Sequence, residues 1–365
     1  MAEKKRILIS GGGTGGHIFP ALSIADACVR KLDAEILFVG ARGRMEMERV
    51  PAAGYEIIGL EVAGFNRKNP LKNFSVLYKL FKSIRRARRI VRDFRPHIAV
   101  GVGGYASGPT LKAAQKAGVP TLLQEQNSYP GVTNKLLAGK ARAICVAYKN
   151  MERFFPPEKI IETGNPIRKA LTEKAPSAAE ARASFGLEAD RPTLLAIGGS
   201  LGALSINEAM ARAVKTLSEK GIQVIWQTGK GYIDKARETA EGLPGVVVRP
   251  FLSDMASAFA AATLVVSRAG AGTISELEIL AKACILVPSP NVAEDHQTKN
   301  ALALSTRGAA EFISDADCRE KLLPAVLDLI GNPERLEQMS AKIRELAMPD
   351  SDEKIVIEIE KIING

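Results

Sequence analysis

The stretch Ile7-Leu-Ile-Ser-Gly-Gly-Gly-Thr-Gly-Gly16 decides the fold class of this 365-residue chain. Arg6 to Ser10 is a short apolar run that reads as a strand, and a helical pattern begins just beyond the five glycines. Gly11, Gly13 and Gly16 satisfy a GxGxxG spacing at that junction, which offers backbone N–H groups and the positive end of a helix dipole to an anion. Taken alone the spacing is a weak signal. An NAD site would want an acid at the end of the next strand, and that strand ends Val39-Gly-Ala-Arg42. NAD is therefore disfavoured, while Arg42 keeps an NADP-dependent reading open. A P-loop is excluded because His17 stands where its Lys would be.

Outward from this segment, short β-rich runs alternate with helical stretches. Arg6 to Ser10, Glu35 to Gly40, Glu56 to Val62, His97 to Val102, Pro120 to Gln124 and Ala143 to Ala147 read as one series of strands. A second series comprises Thr193 to Ile197, Gln223 to Trp226, Val246 to Val248, Thr263 to Ser267 and Cys284 to Pro288. Such alternation predicts right-handed βαβ units and parallel sheets covered on both faces. Prolines 166, 176 and 192 punctuate the chain between the series and place a domain boundary there. Glycine loops also follow the strands at Gly101–Pro109, Gly198–Gly202 and Gly270–Glu276. Four loops spread over two α/β domains predict two phosphate-bearing ligands meeting across a cleft, which is the layout of a transferase. The final segment, Asp352 to Ile363, carries Ile355, Ile359, Ile362 and Ile363 on one side and needs a partner surface.

The charge is local. Of 50 cations and 40 acids, eleven cations and one acid fall between Asn66 and His97, and the rest of the chain balances. Leu77, Phe81, Ile84, Ala87, Val91 and Phe94 recur there at helical spacing, marking the apolar face of a basic amphipathic helix. The plain reading is a surface helix of the α/β domain. Anionic lipid is the sharper alternative, with Phe74, Leu77 or Phe81 dipping into the interface. Nucleic acid ranks below both, since no recognised motif accompanies the patch and aromatic residues are only 5% of the chain.

The four cysteines are scattered with no CxxC pair, and the three histidines form no paired ligand motif, so neither a disulfide framework nor a metal centre is expected. The triplets Asp315-Ala-Asp317 and Asp350-Ser-Asp352 read as helix-start acids rather than a metal-binding DxD. The apolar run after Met1 is too short for a signal peptide, and no segment suits a membrane span, which predicts a protein inside the cell with peripheral membrane contact at most.

A combination of motifs then narrows the reading. Gly11-Gly-Gly-Thr-Gly-Gly-His-Ile-Phe-Pro20, Gly103-Gly-Tyr-Ala-Ser-Gly-Pro109, Glu125-Gln-Asn127, Thr133-Asn-Lys135, Gly164-Asn-Pro-Ile-Arg168, Gly198-Gly-Ser-Leu-Gly-Ala203, Ser267-Arg-Ala-Gly-Ala-Gly-Thr-Ile-Ser-Glu276 and Asp295-His-Gln-Thr-Lys-Asn-Ala301 occur in that order. Together they resemble the MurG family of bacterial peptidoglycan N-acetylglucosaminyltransferases, within glycosyltransferase family 28. The resemblance implies a GT-B fold: two Rossmann-like domains with parallel sheets facing a deep cleft. It implies an acceptor and membrane-associating domain over 1–168, a donor domain over 169–348, and a final helix over 349–365 returning to the first domain.

The implied reaction is inverting transfer of GlcNAc from UDP-GlcNAc to the C4 hydroxyl of MurNAc in lipid I, giving lipid II, with UDP-GlcNAc as co-substrate and no cofactor or essential metal. By the same resemblance, UDP-GlcNAc should meet Thr14, Gly15, Gly16, Asn127, Arg168, Ser200, Leu252, Ala271, Gly272, Thr273, Ile274, Ser275, Glu276 and Gln297. Leu252 would lie near the uracil and Glu276 on the ribose. Gly13, Gly103, Gly104, Tyr105 and Ser107 would cradle the acceptor pyrophosphate. Imidazole titrates near neutrality, so His17 is the first candidate for the base and Glu125 the second. A lipid acceptor implies the cytoplasmic face of the cell membrane, anionic phospholipids as partners of Lys72, Phe74, Leu77, Lys79, Phe81, Lys82 and Arg85, and other cell-wall synthesis proteins nearby. A UDP-GlcNAc 2-epimerase would share the fold and the UDP half, and a phospholipid-binding module is the non-enzymatic alternative.

Overall fold

The computed structural model describes residues 4–62, 73–173, 175–199, 201–292 and 295–365, without the side chains of 73–77. The chain divides into two compact units, Met1–Arg168 with Met348–Gly365, and Lys169–Ala347. In the first, the strands are β1 (Arg6–Ser10), β2 (Glu35–Ala41), β3 (Glu56–Leu60), β4 (Ile98–Gly101), β5 (Thr121–Glu125), β6 (Ala143–Val146) and β7 (Ile160–Glu162). They pair in the order β3-β2-β1-β4-β5-β6-β7, all parallel. The central strands are apolar runs buried on both faces, as a sheet sandwiched between helix layers requires.

Helices α1 (Gly15–Leu32), α2 (Glu46–Ala52), α3 (Asn73–Phe94), α4 (Ser107–Lys116) and α5 (Val132–Ala138) connect these strands. One face of the sheet packs on α1, through Ile24, Ala25 and Cys28, and the other on α3 and α4, through Ala87, Ile90, Val91, Ala113 and Ala114.

In the second unit, β8 (Thr193–Ile197), β9 (Gln223–Gln227), β10 (Val246–Arg249), β11 (Leu264–Ser267), β12 (Cys284–Leu286) and β13 (Glu311–Phe312) pair in the order β10-β9-β8-β11-β12-β13, again all parallel. The helices are α6 (Ala170–Glu173), α7 (Ala178–Ser184), α8 (Leu204–Glu219), α9 (Ile233–Thr239), α10 (Met255–Ala261), α11 (Ala271–Ile279), α12 (His296–Ser305), α13 (Cys318–Ile330) and α14 (Pro333–Arg344). Strands β7 and β13 are edge strands of three and two residues that the hydrophobic pattern did not reveal. Segments that short carry no period, and only pairing with a neighbour makes them strands.

Both sheets reverse strand order once, between β1 and β4 and between β8 and β11. At such a point the two following connections leave toward opposite faces and open a crevice beyond the carboxyl ends of the strands. The four glycine loops of the sequence lie at these two switch points, after β1, β4, β8 and β11.

The last helix, α15 (Ser351–Asn364), belongs to the first unit and packs on α1. Ile355, Val356 and Ile359 are fully enclosed in the core that also holds Ile24 and Cys28. Arg30 reaches Asp352 at 3.4 Å and Lys31 reaches Glu353 at 2.8 Å, partly exposed pairs that orient the helix more than they stabilise it. Truncation of Ile355 to Ala should cost about 3 kcal/mol in urea unfolding, since it removes a buried side chain and leaves a cavity. A loss below about 1 kcal/mol would mean that α15 is not part of that core.

Candidate active site

At the first switch point the loops after β1 and β4 touch backbone to backbone. Gly104 has φ +87, and a Cβ there would fall 2.5 Å from the Gly12 carbonyl oxygen, so no other residue fits without moving a loop. Thr14 ends the first loop in an extended conformation and caps α1 with no side-chain bond; its carbonyl accepts from His17 and Ile18 N–H, which leaves the Gly15 and Gly16 amides as the helix's open donors among the described residues. His17 lies in the first turn. Its Nδ1 is 3.0 Å from the Gly12 carbonyl, and its ring lies against Gly103, where a Cβ would be 3.0 Å from Nε2. Because a carbonyl only accepts, this contact places a proton on Nδ1, so that in the neutral ring Nε2 carries the lone pair. Arg168 stacks its guanidinium on Phe19 at 4.6 Å, and the Phe19 ring in turn abuts Gly15. Tyr105 is exposed, while Ser107, at the start of α4, has a fully buried hydroxyl with no hydrogen-bond partner among the described residues.

Two of the expected assignments in this unit change. Glu125 is not an accessible base. It is 2% exposed; one carboxylate oxygen accepts from the N–H and side-chain amide of Asn127 (3.0 and 3.2 Å), the other from Gly131 N–H (3.1 Å) and the Asn134 amide (2.9 Å). Burial pushes its carboxyl above the ordinary carboxylate range, and these donors pull the other way without winning. Its position ties the end of β5 to the start of α5. Gly13 does not offer its amide outward either: that N–H donates to Glu46 at 2.9 Å. Glu46 carries no recognisable motif, and the sequence reading missed it.

In the second unit the loop after β8 lies on the turn after β9. Cβ atoms at Gly202 and Gly229 would fall 2.0 Å from the Thr228 carbonyl oxygen and 2.2 Å from that of Leu201. Ser200 lies outside the described residues. Leu252 is buried at 6% exposure, so little of it is presented to solvent. Helix α11 starts at Ala271 after an extended Gly270, with no side-chain cap and no acid in its first turn. Glu276 falls in the second turn, beyond the range where a carboxylate complements the helix start. Helical periodicity turns Ala271 and Ile274 into the core, 5% and 0% exposed, and leaves Gly272, Thr273 and Glu276 half-buried. The side chain of Ile274, and nearly all of that of Ala271, is thereby withdrawn from any ligand. Gln297 spends its carbonyl on Ser289 N–H at 2.9 Å, keeping an amide nitrogen with two hydrogens.

Arg268 organises this edge. Its Nη1 donates to the carbonyls of Val287 (3.1 Å) and Pro288 (3.0 Å) and to Asp315, and its Nη2 to Ser205 Oγ at 3.1 Å; Ser205 also donates to Asp315. One guanidinium thus joins the segments after β8, β11, β12 and β13. Asp315 is therefore not a simple helix-start acid. Asp317 and Asp350 do occupy the N-cap positions of α13 and α15, and Asp352 lies in the first turn of α15.

On α3, Ser83, Ala87, Ile90 and Val91 are buried, and Phe81, expected on the inner face, is 69% exposed. The inward stripe runs through Ser83, whose hydroxyl donates to Glu61 C=O at 2.8 Å, and the helical period then turns Phe81 outward beside exposed Tyr78. Lys79 and Arg85 are exposed. Lys82 and Arg42 both pair with Glu61, at 3.1 and 2.9 Å, holding its carboxyl below the ordinary range. Arg42 is thereby engaged where an NADP phosphate would need it. Lys72 and the side chains of Phe74 and Leu77 lie outside the described residues. No described helix is long and apolar enough to cross a membrane.

Two parallel-sheet α/β units with glycine loops at each switch point define the GT-B fold. Models of the glycosyltransferase family 28 N-terminal and C-terminal domains match residues 7–146 and 193–355, and the chain belongs to that family. It is 57% identical to a Bacteroides thetaiotaomicron protein over 99% of both chains. It is 59% identical to one from Phocaeicola vulgatus over 99% of this chain and 97% of that one. Each is named UDP-N-acetylglucosamine–N-acetylmuramyl-(pentapeptide) pyrophosphoryl-undecaprenol N-acetylglucosamine transferase. The crystal structure of Acinetobacter baumannii MurG superposes with a TM-score of 0.76 at 28% identity, covering 98% of this chain and 99% of that one.

Replacing Glu125 with Gln sets an amide NH2 against N–H donors, and should destabilise the first unit by about 2 kcal/mol while leaving the shape of the pH–rate profile intact. Disappearance of a limb of that profile would return the base to Glu125.

Proposed function

We propose that this chain transfers GlcNAc from UDP-GlcNAc to the C4 hydroxyl of MurNAc in undecaprenyl-pyrophosphoryl-MurNAc-pentapeptide, lipid I, with inversion at the sugar carbon, forming lipid II. One observation carries this reading: a chain matched end to end by transferases named for that chemistry builds an anion-receptive loop cluster at the switch point of each of its two sheets. The epimerase alternative gives no work to the first cluster or to the basic helix.

On this reading the second unit holds the nucleotide. The opening amides of α11, over Ala271 to Thr273, face the diphosphate, the Ile274 N–H being spent on the Gly270 carbonyl at 3.0 Å; Glu276 accepts the ribose hydroxyls, Leu252 meets the uracil, and Ser275, Gln297 and Ser200 complete the donor set. From the first unit Thr14, Gly15, Gly16 and Asn127 meet the sugar, and Arg168 the departing diphosphate. Gly103, Gly104 and Tyr105 receive the acceptor pyrophosphate, and Ser107, whose hydroxyl is enclosed, adds only its backbone N–H at the start of α4. The C4 oxygen bonds to the anomeric carbon of GlcNAc and gives its proton to His17 Nε2, while the bond from that carbon to the UDP oxygen breaks and its electron pair leaves with UDP. Fixed amides and a guanidinium then stabilise the charge growing on UDP, and no metal is required.

His17→Gln should lower kcat by about 100-fold with little change in the KM for UDP-GlcNAc, whereas Glu276→Ala should raise that KM at least about tenfold. Both are measured by transfer from labelled UDP-GlcNAc to a lipid I analogue in EDTA. A wild-type rate in His17→Gln would remove His17 from the chemistry, and loss of wild-type activity in EDTA would bring a metal in.

The acceptor is a membrane lipid, and we place the protein peripherally on the cytoplasmic face, docked on anionic phospholipid through α3. Exposed Tyr78 and Phe81 beside Lys79 and Arg85 support this, while Lys82 contributes less because Glu61 neutralises it. Reversing Lys79 and Arg85 to Glu should weaken binding to phosphatidylglycerol vesicles at least about tenfold, with no loss of transfer to a short-chain, water-soluble acceptor. Unchanged vesicle binding would remove α3 from the membrane contact.

A further inference from the structure

Glu46 opens α2, is 1% exposed, and accepts two backbone hydrogen bonds from two different strand-end loops. Ala41 N–H donates to Oε1 and Gly13 N–H to Oε2, each at 2.9 Å. The chain is cut away to let this side chain through: a Cβ on Gly12 would fall 2.2 Å from Oε1, and one on Gly40 would fall 2.6 Å from its Cγ. Gly12 and Gly13 hold φ values of +146 and +90, conformations that side-chain-bearing residues rarely adopt. A carboxylate is costly to enclose unless its oxygens are hydrogen-bonded, and here both are.

The peptide between Gly12 and Gly13 gives this contact its consequence. A trans peptide is planar, so its N–H and C=O point in opposite directions. Glu46 draws the Gly13 N–H into the protein, and the Gly12 C=O of the same peptide is thereby aimed the other way, at His17 Nδ1, 3.0 Å distant. Carboxylate, peptide and imidazole form one chain of hydrogen bonds, in which each link polarises the next. We infer that Glu46 is the positioning residue of His17: through the Gly12–Gly13 peptide it fixes the ring's orientation and keeps the proton on Nδ1, so that Nε2 is the basic nitrogen. This rests on the reading of His17 as the base. Glu46 does not touch substrate; it acts through a backbone unit that sequence shows only as glycine.

The test uses Glu46→Gln and Glu46→Asp in the full-length protein. In Glu46→Gln one acceptor oxygen becomes an NH2, so Gly13 N–H loses its partner when Ala41 N–H keeps its own. Histidine 15N shifts, recorded at mildly alkaline pH, report the tautomer directly. An internal reference of opposite sense is present, because Arg6 N–H donates to His97 Nδ1 at 2.9 Å and so places the His97 proton on Nε2. The expected result is loss of the pure Nδ1–H pattern at His17, assigned by its absence in His17→Gln, with His97 unmoved. Along with it kcat should fall about 10- to 100-fold at an unchanged KM for UDP-GlcNAc. Glu46→Asp keeps the charge but shortens the reach, and should fall between; it supplies the same readout if the Gln variant fails to fold. A folded variant that keeps the His17 tautomer pattern overturns the inference. A changed tautomer, in a protein whose His17→Gln variant is fully active, upholds the positioning and overturns instead the role given to His17.

Discussion

Everything at the carboxyl edge of the two sheets depends on backbone lying directly on backbone. In the first unit Gly104 rests on the Gly12 carbonyl, and in the second Gly202 and Gly229 rest on the carbonyls of Thr228 and Leu201. These approaches are closer than any Cβ permits. They occur where strand order reverses, so that loops diverging to opposite faces come together at their roots. The result is a pair of surfaces lined by amides and helix starts, the kind of surface that suits an anion without a cationic side chain.

Buried charge then holds these surfaces in shape. Glu46 reaches across to the loop after β1, Glu125 fastens the end of β5 to α5, and Arg268 gathers the segments after β8, β11, β12 and β13. Each is enclosed or nearly so, and each offsets the cost of enclosure with several hydrogen bonds, largely to backbone. None is free to follow a substrate. A transition state that places growing negative charge on a departing diphosphate is stabilised most by dipoles already fixed in place, and in the proposed reaction these residues do the fixing.

The basic helix follows a different logic. Its inner stripe, Ser83, Ala87, Ile90 and Val91, is ordinary packing against a sheet, whereas Tyr78 and Phe81 stand in water next to Lys79 and Arg85. Glu61 pairs with both Lys82 and Arg42 and offsets one of their two positive charges. The net positive charge of the chain is therefore a local property of one helix and its approaches, trimmed by a carboxylate that lies outside the helix itself.

Most of the fold was legible because its signals are local: apolar runs of four to seven residues, helical periods between them, and glycines at the junctions. Strands such as β1 and β8 coincide with their hydrophobic runs, and the loops that matter were marked by glycines, whose freedom at positive φ is a property of the residue type. Ion pairing and hydrogen-bond saturation are not local. Asp315 reads as a helix-start acid until Arg268, 47 residues earlier in the chain, is seen beside it, and Glu125 reads as a base until its four donors are counted. Sequence alone thus determined the two α/β series, the glycine junctions and the cationic helix, since each is written in neighbouring residues. Only the tertiary structure decided which carboxylates face solvent and which peptide Glu46 turns toward His17, because those depend on segments that meet in space after the sheets have formed.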